Sequence, residues 1–469
     1  MRKVTIVGCG LVGSLWAYLL KKQGYDVDVF EKRPDPREKE EQVGRSINLV
    51  VTSRGLHALE TAGLLEKIMA ICVPVYGRRI HQKNGENFFQ AYGRDNTECN
   101  YSVSRAQLNK TLIEQCISIG VKINFDHTVS GLNLKSKTLE FSSSEKKLTH
   151  NYDLLFATEG AGSVIRNTLA SEYPYEFSEK TSWLDSGYKE LFMPAAVMGQ
   201  RPLEQNSLHI WPRGTHMMMG LANLDGSFTM TLYLPNKGLK NSLESLNQDA
   251  EIETFFKSEF STALPLMPDY LKDYKQNPKG ALGTVKMNKW TFGDSVALMG
   301  DAAHAIVPFF GQGMNLGFED CTTLLSLLKI HNENWAETLS AFDQFQRPNA
   351  NAIAEMALEN FIEMRDKVSD PAFQFNKKIE TIIEKEFPDL YRSRYGLITY
   401  TLVPYAVAQE AGTRQAELLT NLASGLTEPE QLDLSYVKKL LESDFSPWLK
   451  GLGYTTERYV PAQTYSTTI

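Results

Sequence analysis

Four residues near the N-terminus have the types and spacing of a phosphate-binding turn. Gly8, Gly10 and Gly13 follow the apolar run at residues 4–7, and Glu31 stands 18 residues after Gly13. The first glycine permits a sharp turn, the second lets backbone approach a pyrophosphate, and the third allows a helix to pack closely on a strand. Glu31 can accept hydrogen bonds from a ribose diol. A glycine cluster that only caps a helix would not explain Glu31, so the pattern predicts a dinucleotide site, either for NAD or for FAD.

A second group with chemical potential is the loop GDAAHAIVPFFGQGMN at residues 300–315. Asp301 could bond the hydroxyls of a polyol chain, and the backbone N–H groups of residues 313–315 open a predicted helix that faces negative charge. A flavin has both features, a ribityl chain and a pyrimidine edge that becomes anionic on reduction. Residues 308–310 would wall a dry cavity beside it. The loop therefore favours a flavin over an ordinary strand-to-helix connection.

The elements that must position these loops can be predicted from periodicity. Residues 3–30 form a strand, a helix and a second strand, and another strand and helix flank the loop at 300–315. The segment 208–235 alternates as antiparallel strands with turn signals at 212–214 and 225–226, while 413–426 and 434–445 have helical spacing.

This order of elements predicts an α/β fold with three parts. The first is a discontinuous, Rossmann-like FAD-binding domain at 1–75, 100–180 and 280–365. The second is an antiparallel β-sheet substrate domain at 76–99 and 181–279. The third is a C-terminal helical region at 366–469.

Composition excludes several other classes of function. The 469 residues are 42% hydrophobic and 22% charged with a net charge of −7, which gives no basic surface for nucleic acid. No run approaches the length of a bilayer span, and residues 395–408 are expected to form a buried helix or an interfacial element. The eight histidines show no metal-ligand spacing, so no metal site is expected. Scattered cysteines and an immediate first strand predict a cytoplasmic protein with reduced thiols.

Several motifs together resemble a known family. GCGLVG, GRSINLV, SVSRAQLNK, ATEGAGSVIR and the loop at 300–315 resemble the single-component FAD-dependent aromatic hydroxylases. GRSINL, LHIWPR, VPFFGQGMNLGFEDC and NFIEMR are similar to the branch of that family that acts on L-kynurenine. The membrane-anchoring C-terminus of its eukaryotic members has no counterpart here, so a soluble, bacterial-type member is expected. The resemblance covers residues 1 to about 410.

The resemblance implies a reaction and a cofactor site. It implies hydroxylation of L-kynurenine to 3-hydroxykynurenine with NADPH and O₂, through a hydroperoxide at the flavin C4a carbon and without a catalytic side chain, in the kynurenine pathway of tryptophan degradation and NAD biosynthesis. To Gly8, Gly10, Gly13 and Gly313 it adds the FAD contacts Val12, Glu31, Lys32, Val50, Arg105, Val129, Asp301, Met314 and Asn315.

The resemblance also places the amino-acid end of the substrate against Arg78, Tyr92, Asn360 and Tyr395. A guanidinium suits a carboxylate because it forms two parallel, charge-assisted hydrogen bonds. Spacing alone would instead make Arg78 and its neighbour a surface pair. Further residues are expected to line the ring pocket, with plain sheet core as the alternative for those in strands: Leu208, Ile210, Met219, Phe228, Pro308 and Phe309.

Some alternatives stay open at this point. Glu159 precedes Gly160 where the family has Asp, and it is not assigned to the site. NADPH is expected to dock transiently, because FAD takes the one dinucleotide fingerprint. The competing functions are an FAD hydroxylase for another aromatic acid and a flavin-bound sensor without turnover. The chain could act as a monomer or as a homodimer.

Overall fold

The computed structural model describes residues 3–38, 47–142, 147–200, 203–238, 240–363 and 371–462. Parts of two motifs named above lie outside the described residues: 44–46 of GRSINL and 364–365 of NFIEMR.

The described strands are, in chain order, β1 (Lys3–Val7), β2 (Asp26–Phe30), β3 (Asn48–Val51), β4 (Val73–Val75), β5 (Gly77–His81), β6 (Asn87–Ala91), β7 (Asn100–Ser104), β8 (Lys122–Asn124), β9 (Thr128–Asn133), β10 (Thr138–Ser142), β11 (Lys147–Asn151), β12 (Leu154–Ala157), β13 (Glu179–Met193), β14 (Ser207–Pro212), β15 (Met217–Ala222), β16 (Phe228–Pro235), β17 (Gly280–Met287), β18 (Thr291–Phe292) and β19 (Val296–Leu298).

The described α-helices are α1 (Leu11–Lys22), α2 (Ser53–Ala62), α3 (Leu65–Met69), α4 (Arg105–Ser118), α5 (Val164–Glu172), α6 (Asp249–Glu259), α7 (Tyr270–Gln276), α8 (Asp301–His304), α9 (Gly313–Ile330), α10 (Trp335–Ile362), α11 (Pro371–Glu386), α12 (Arg394–Tyr400), α13 (Tyr405–Ala423), α14 (Leu434–Leu440) and α15 (Ser446–Gly451). Short 3₁₀ turns at Leu264–Leu266, Pro308–Phe310 and Pro429–Gln431 and a π-turn at Leu441–Phe445 complete them.

A largely parallel sheet lies at the centre of the molecule, in the order β18-β19-β12-β1-β2-β8. The strands from β19 to β8 pair in parallel, and β18 runs antiparallel. The predicted β-α-β unit at residues 3–30 is confirmed, with α1 joining β1 to β2. Because parallel strands end at the same sheet edge, the residues that follow them meet there: Gly8, Glu31, Thr158 and Gly300.

A seven-stranded sheet, in the order β17-β13-β16-β15-β14-β5-β6, forms the second layer. Its pairs are antiparallel except β14 with β5, and the predicted strands and turns of residues 208–235 are confirmed. One face packs under α6 and α7 through Trp211, Met218 and Met230, and the other face meets the loop that precedes α9. The predicted domain limit at residue 280 is wrong for Gly280–Met287, because this segment pairs with β13 as an edge strand of the seven-stranded sheet.

Helices α11–α15 form the C-terminal region, as the fold class predicted. Residues 395–408 are largely buried and comprise most of α12, a short extended link and the start of α13. Within the described ranges, no helix has the length and apolar character needed to cross a membrane. Arg54 of α2 anchors this region: its guanidinium donates to the carbonyls of Ile398, Thr401 and Val403 and pairs with Glu319 at 2.9 Å.

Candidate active site

The glycine turn after β1 is shaped by backbone contacts. Gly8 has φ +100°, and a Cβ there would lie 2.5 Å from the carbonyl oxygen of Thr158. A Cβ on Gly13 would lie 2.0 Å from the carbonyl oxygen of Gly8, whereas a Cβ on Gly10 would meet no atom within 4 Å. Among the described residues no side chain caps the start of α1, and its first turn has no acidic residue. The turn therefore presents free N–H groups and a positive dipole end to open space, as a phosphate requires.

Glu31 lies beside this turn at the end of β2 and is 5% exposed. Its carboxylate accepts from the N–H of Cys9 at 2.7 Å and from the N–H and Nε of Arg33 at 3.0 and 2.8 Å. Burial opposes ionisation, but the hydrogen bonds and charge of Arg33 and the backbone amides hold the pKa of Glu31 below its ordinary value. Glu31 is thus a fixed anion, and Lys32 next to it is exposed.

The loop after β19 brings a second helix start beside the glycine turn, because Gly300 lies against Val12 of α1. We call the space between these two helix starts and the facing seven-stranded sheet the cleft. Gly300 has φ +56° and its N–H donates to Asp320 at 2.8 Å, while Asp301 is exposed and has no hydrogen-bond partner in the described part of the chain. A Cβ on Gly317 would lie 2.5 Å from Cγ2 of Val12, which shows how closely α9 packs on α1. The starts of both helices therefore face one ligand space.

His304 fixes the base of this loop. Its Nε2 contacts the carboxylate of Asp320 at 2.7 Å, and both side chains are buried. Burial opposes protonation of His304, but the carboxylate raises its pKa above the ordinary value.

In the part of the chain that the structure describes, no side chain caps the start of α9, and its first turn has no acidic residue. Asn315 is fully buried, where its Nδ2 donates to the carbonyls of Val50 at 2.8 Å and Gly311 at 3.0 Å. Its Oδ1 accepts from the N–H of Thr52 at 2.9 Å. The side chain of Asn315 therefore holds the loop against β3, and the backbone N–H groups of Gly313–Asn315 are the groups left for a ligand. Met314 is 8% exposed beside them.

Two other predicted cofactor contacts, Arg105 and Val129, lie on α4 and β9. Arg105 is the exposed first residue of α4, close enough to Tyr188 and Glu190 of β13 to influence their ionisation. Val129 is 8% exposed on β9, with its side chain in the core of the parallel-sheet domain.

Arg78, Tyr92 and Tyr395 come together across the cleft, and we call them the carboxylate clamp. The rings of Tyr92 and Tyr395 stack with centroids 5.4 Å apart, and Phe310 stacks on Tyr395 at 5.8 Å. Nε of Arg78 donates to Gln90 at 2.8 Å, and no described residue accepts from its terminal nitrogens. Burial raises the pKa of both tyrosines, so their hydroxyls remain protonated and can donate.

An aromatic wall adjoins the clamp. Phe309 is 6% exposed and stacks on Phe361 at 4.3 Å, with Tyr233 tilted at 5.2 Å, while Nδ2 of Asn360 donates to the carbonyl of Phe309 at 2.7 Å. Pro308 is exposed. Residues of the facing sheet pack in the same cluster: Leu208, Ile210, Met217, Met219 and Leu221.

The structure corrects the expectation for Phe228. This residue is 1% exposed and packs with Trp211, Met218 and Met230 on the face of the seven-stranded sheet that α6 and α7 cover. Successive side chains of a strand point to opposite faces, so Phe228 points away from the cleft and Tyr233, five positions later on β16, points into it. The sequence FTMTLYLP showed that alternate residues lie on two faces of the strand, but it did not show which of these faces met the cleft.

Glu159 caps α5. Its carboxylate accepts from the hydroxyl of Ser163 at 2.6 Å and from the N–H groups of Val164 and Ile165 at 3.0 and 3.3 Å. Burial raises the pKa of Glu159, and these hydrogen bonds oppose the increase. The start of α5 is therefore satisfied within the chain, unlike the starts of α1 and α9.

Comparison with known proteins agrees with this geometry. The family model described as FAD binding domain matches residues 1–357. Two solved structures share the fold: a tetrameric form of 2-methyl-3-hydroxypyridine-5-carboxylic acid oxygenase (TM-score 0.63, 20% identity, 80% of this chain and 95% of that one) and the tetracycline destructase Tet(51) (TM-score 0.59, 17% identity, 83% and 97%). The fold, the two helix starts and the matched family model thus define an FAD-binding protein.

Sequence relatives narrow the class. The chain is 40% identical over 459 residues to the kynurenine 3-monooxygenase of Myxococcus xanthus (strain DK1622), covering 97% of this chain and 98% of that protein. It is 40% identical over 423 residues to the protein of the same name from Flavobacterium psychrophilum, covering 90% and 93%. The chain belongs to the kynurenine 3-monooxygenase family.

Proposed function

We propose that this chain is an FAD-dependent monooxygenase that converts L-kynurenine, NADPH, a proton and O₂ into 3-hydroxykynurenine, NADP⁺ and water. The observation that carries the proposal is the carboxylate clamp, which lies beside the aromatic wall that the loop at 300–315 contributes, with Phe310 stacked on Tyr395. A flavin-bound sensor without turnover would have no use for a guanidinium and two tyrosine hydroxyls opposite the flavin. The names of the relatives support the same substrate.

The residues of the cleft fit FAD. The open approach at Gly10 and the uncapped start of α1 suit the pyrophosphate, and the fixed anion Glu31 suits a ribose diol. Asp301, exposed and unpartnered among the described residues, suits the ribityl hydroxyls. The N–H groups of residues 313–315 suit the pyrimidine edge. Bound FAD would supply the reduction of O₂ and the transfer of one oxygen atom.

We also propose that further residues contribute to this cofactor site. Val12 lies where α1 and α9 meet, Val50 lies next to the Asn315 amide, and Lys32 follows Glu31. Arg105 at the start of α4 and Val129 on β9 are included on the family resemblance, since the side chain of Val129 packs in the core.

The clamp would orient the substrate. The terminal nitrogens of Arg78 would donate to the substrate carboxylate, and the hydroxyls of Tyr92 and Tyr395 would bond its remaining polar atoms. Asn360 holds Phe309 in place through its carbonyl, so that the aromatic ring of the substrate meets a rigid apolar wall that excludes water. The ring amino group of kynurenine makes the adjacent carbon electron-rich, and no side-chain base is assigned.

The test is a turnover assay with the purified, FAD-loaded protein. L-Kynurenine should accelerate NADPH oxidation and yield a product heavier by one oxygen atom, whereas anthranilate, which lacks the α-amino acid, should give neither. Faster hydroxylation of a different aromatic acid would support the alternative substrate, and the absence of any hydroxylated product would refute the proposal. Parallel assays with NADH define the nucleotide preference.

The proposal includes a cytoplasmic location, which is supported by the five cysteines, all of which are free thiols. Light scattering of the purified protein would separate a monomer from a homodimer.

A further inference from the structure

A buried ion pair connects the C-terminal region to the carboxylate clamp. Nη2 of Arg392 lies 2.8 Å from Oε1 of Glu98, and the two side chains are 2% and 5% exposed. The residues stand 294 positions apart in the chain. Arg392 is in the segment before α12, and Glu98 is in the loop between β6 and β7.

Glu98 holds the loop that follows Tyr92. Its second oxygen accepts from the N–H of Arg94 at 3.0 Å, and a Cβ on Gly93 would lie 2.3 Å from Cβ of Glu98. The two residues after Tyr92 are therefore fixed against the Glu98 side chain. Two positions beyond Glu98, Nδ2 of Asn100 donates to the hydroxyl of Tyr395 at 3.0 Å.

Arg392 is held in turn by the rest of the C-terminal region. Its Nε donates to the carbonyl of Thr456 at 2.5 Å, and its own carbonyl accepts from Gln415 of α13 at 2.7 Å. Tyr395, three residues after Arg392, stacks on Tyr92. The ion pair thus joins the backbone that carries one tyrosine of the clamp to the backbone that carries the other.

The buried ion pair of Glu98 and Arg392 is not expected to add much to the stability of the fold. Removing two charges from water costs about as much as their attraction returns, and apolar residues of similar volume often stabilise a fold equally well or better. In addition, Nη1 of Arg392 is buried without an acceptor in the described part of the chain. What the pair supplies is a fixed distance and direction between two segments that are remote in sequence.

We propose that Glu98 and Arg392 are positioning residues that set the Tyr92–Tyr395 stack, so that the C-terminal region completes the substrate site. This inference rests on the proposed function, because it assigns the two residues to the orientation of the same substrate. It gives the segments 371–400 and 454–458 a role in substrate recognition.

The experiment compares three variants with the wild-type holoenzyme. Glu98→Gln removes one charge and keeps the shape, and the double variant Glu98→Leu/Arg392→Met replaces the pair by apolar volume. Glu410→Gln is the matched control, because Glu410 forms an exposed ion pair with Arg414 at 3.3 Å in the same region. FAD content and the unfolding temperature establish that each variant is folded.

Positioning predicts a specific kinetic pattern. In Glu98→Gln and the double variant, KM for L-kynurenine should increase about tenfold or more, with kcat changed by less than about threefold. The moles of hydroxylated product per mole of NADPH oxidised should decrease, because NADPH is oxidised without hydroxylation when the substrate ring is misplaced. Glu410→Gln should match the wild type. A double variant with wild-type KM and wild-type product yield would overturn the inference.

Hydrogen–deuterium exchange tests the positioning role by a second measurement, which does not depend on turnover. Amide exchange should increase in residues 92–100 and 394–400 of both test variants and remain unchanged in the control. If these segments exchange faster while even the wild type fails to hydroxylate kynurenine, the positioning role stands and the proposed substrate is wrong. Unchanged exchange, or loss of FAD and folded structure in both test variants, would show that the pair does not act by positioning.

Discussion

Replacement of Arg78 by alanine should damage substrate use far more than replacement of its neighbour Arg79. The two residues point to opposite faces of β5. Arg78 points to the clamp, where its charge acts on Tyr92 and Tyr395. Arg79 points to the other face, where it pairs with Glu204.

The expected magnitudes differ because the two guanidinium groups have different partners. Hydrogen bonds to charged groups contribute about 1.5–3 kcal/mol each, so loss of a two-pronged contact, about 3–6 kcal/mol, should lower kcat/KM by roughly 100- to 10,000-fold. The Arg79–Glu204 pair is partly exposed, with side chains 28% and 47% accessible. Pairs of that kind contribute at most about 1 kcal/mol to stability and none to the substrate.

The assay measures kcat/KM for L-kynurenine in Arg78→Ala and Arg79→Ala, with FAD content from the flavin absorbance. We expect full FAD content in both, a large loss of kcat/KM only in Arg78→Ala, and a change below about twofold in Arg79→Ala. If the two variants lose kcat/KM equally, or Arg79→Ala loses more, the assignment of strand faces and of the carboxylate anchor is refuted.

Three further outcomes follow from named contacts. Gly13→Ala should be isolated without FAD, because its Cβ would lie 2.0 Å from a backbone oxygen, whereas Gly451→Ala, which meets no atom within 4 Å, should keep its flavin absorbance. In FAD-free protein Glu31→Gln should lower Tm at pH 7, because the depressed pKa of Glu31 gives stability that is fully present above the unfolded pKa of about 4.5. This difference in Tm should shrink as the pH falls below about 4.5 and through the folded pKa, and a pH-independent difference would contradict the assignment. Arg54→Met should lower the free energy of unfolding in urea by about 3–5 kcal/mol, because it leaves a carboxylate without its partner, and a loss below about 1 kcal/mol would contradict this.

Local sequence patterns were enough to predict the glycine turn and the second helix start. The turn at residues 8–13 and the helix that starts at Gly313 depend on residues close together in the chain, so spacing and glycine content identify them. The same holds for the turns at 212–214 and 225–226. The confirmed β-α-β unit and the confirmed antiparallel strands are structures of this kind.

Features that depend on sheet register and long-range packing were not predictable in the same way. Alternation along β16 shows two faces, but only the packing of α6 and α7 decides that Phe228 faces away from the cleft and Tyr233 faces into it. The membership of Gly280–Met287 in the seven-stranded sheet depends on its pairing with a strand about a hundred residues earlier. Neither Glu98 nor Arg392 has a local pattern that distinguishes it from a surface charge.

The anchoring of Arg54 has a consequence for how the chain is made. Arg54 is synthesised early. The carbonyls to which its guanidinium donates are synthesised more than 340 residues later, at Ile398, Thr401 and Val403. The match to the FAD binding domain ends at residue 357, before any of those carbonyls. A nascent chain at that length could form the ion pair of Arg54 with Glu319 but would still lack the three carbonyl acceptors of the buried guanidinium. The end of the matched domain is therefore not expected to be a boundary of independent folding, and the final packing around Arg54 should form only when synthesis is nearly complete.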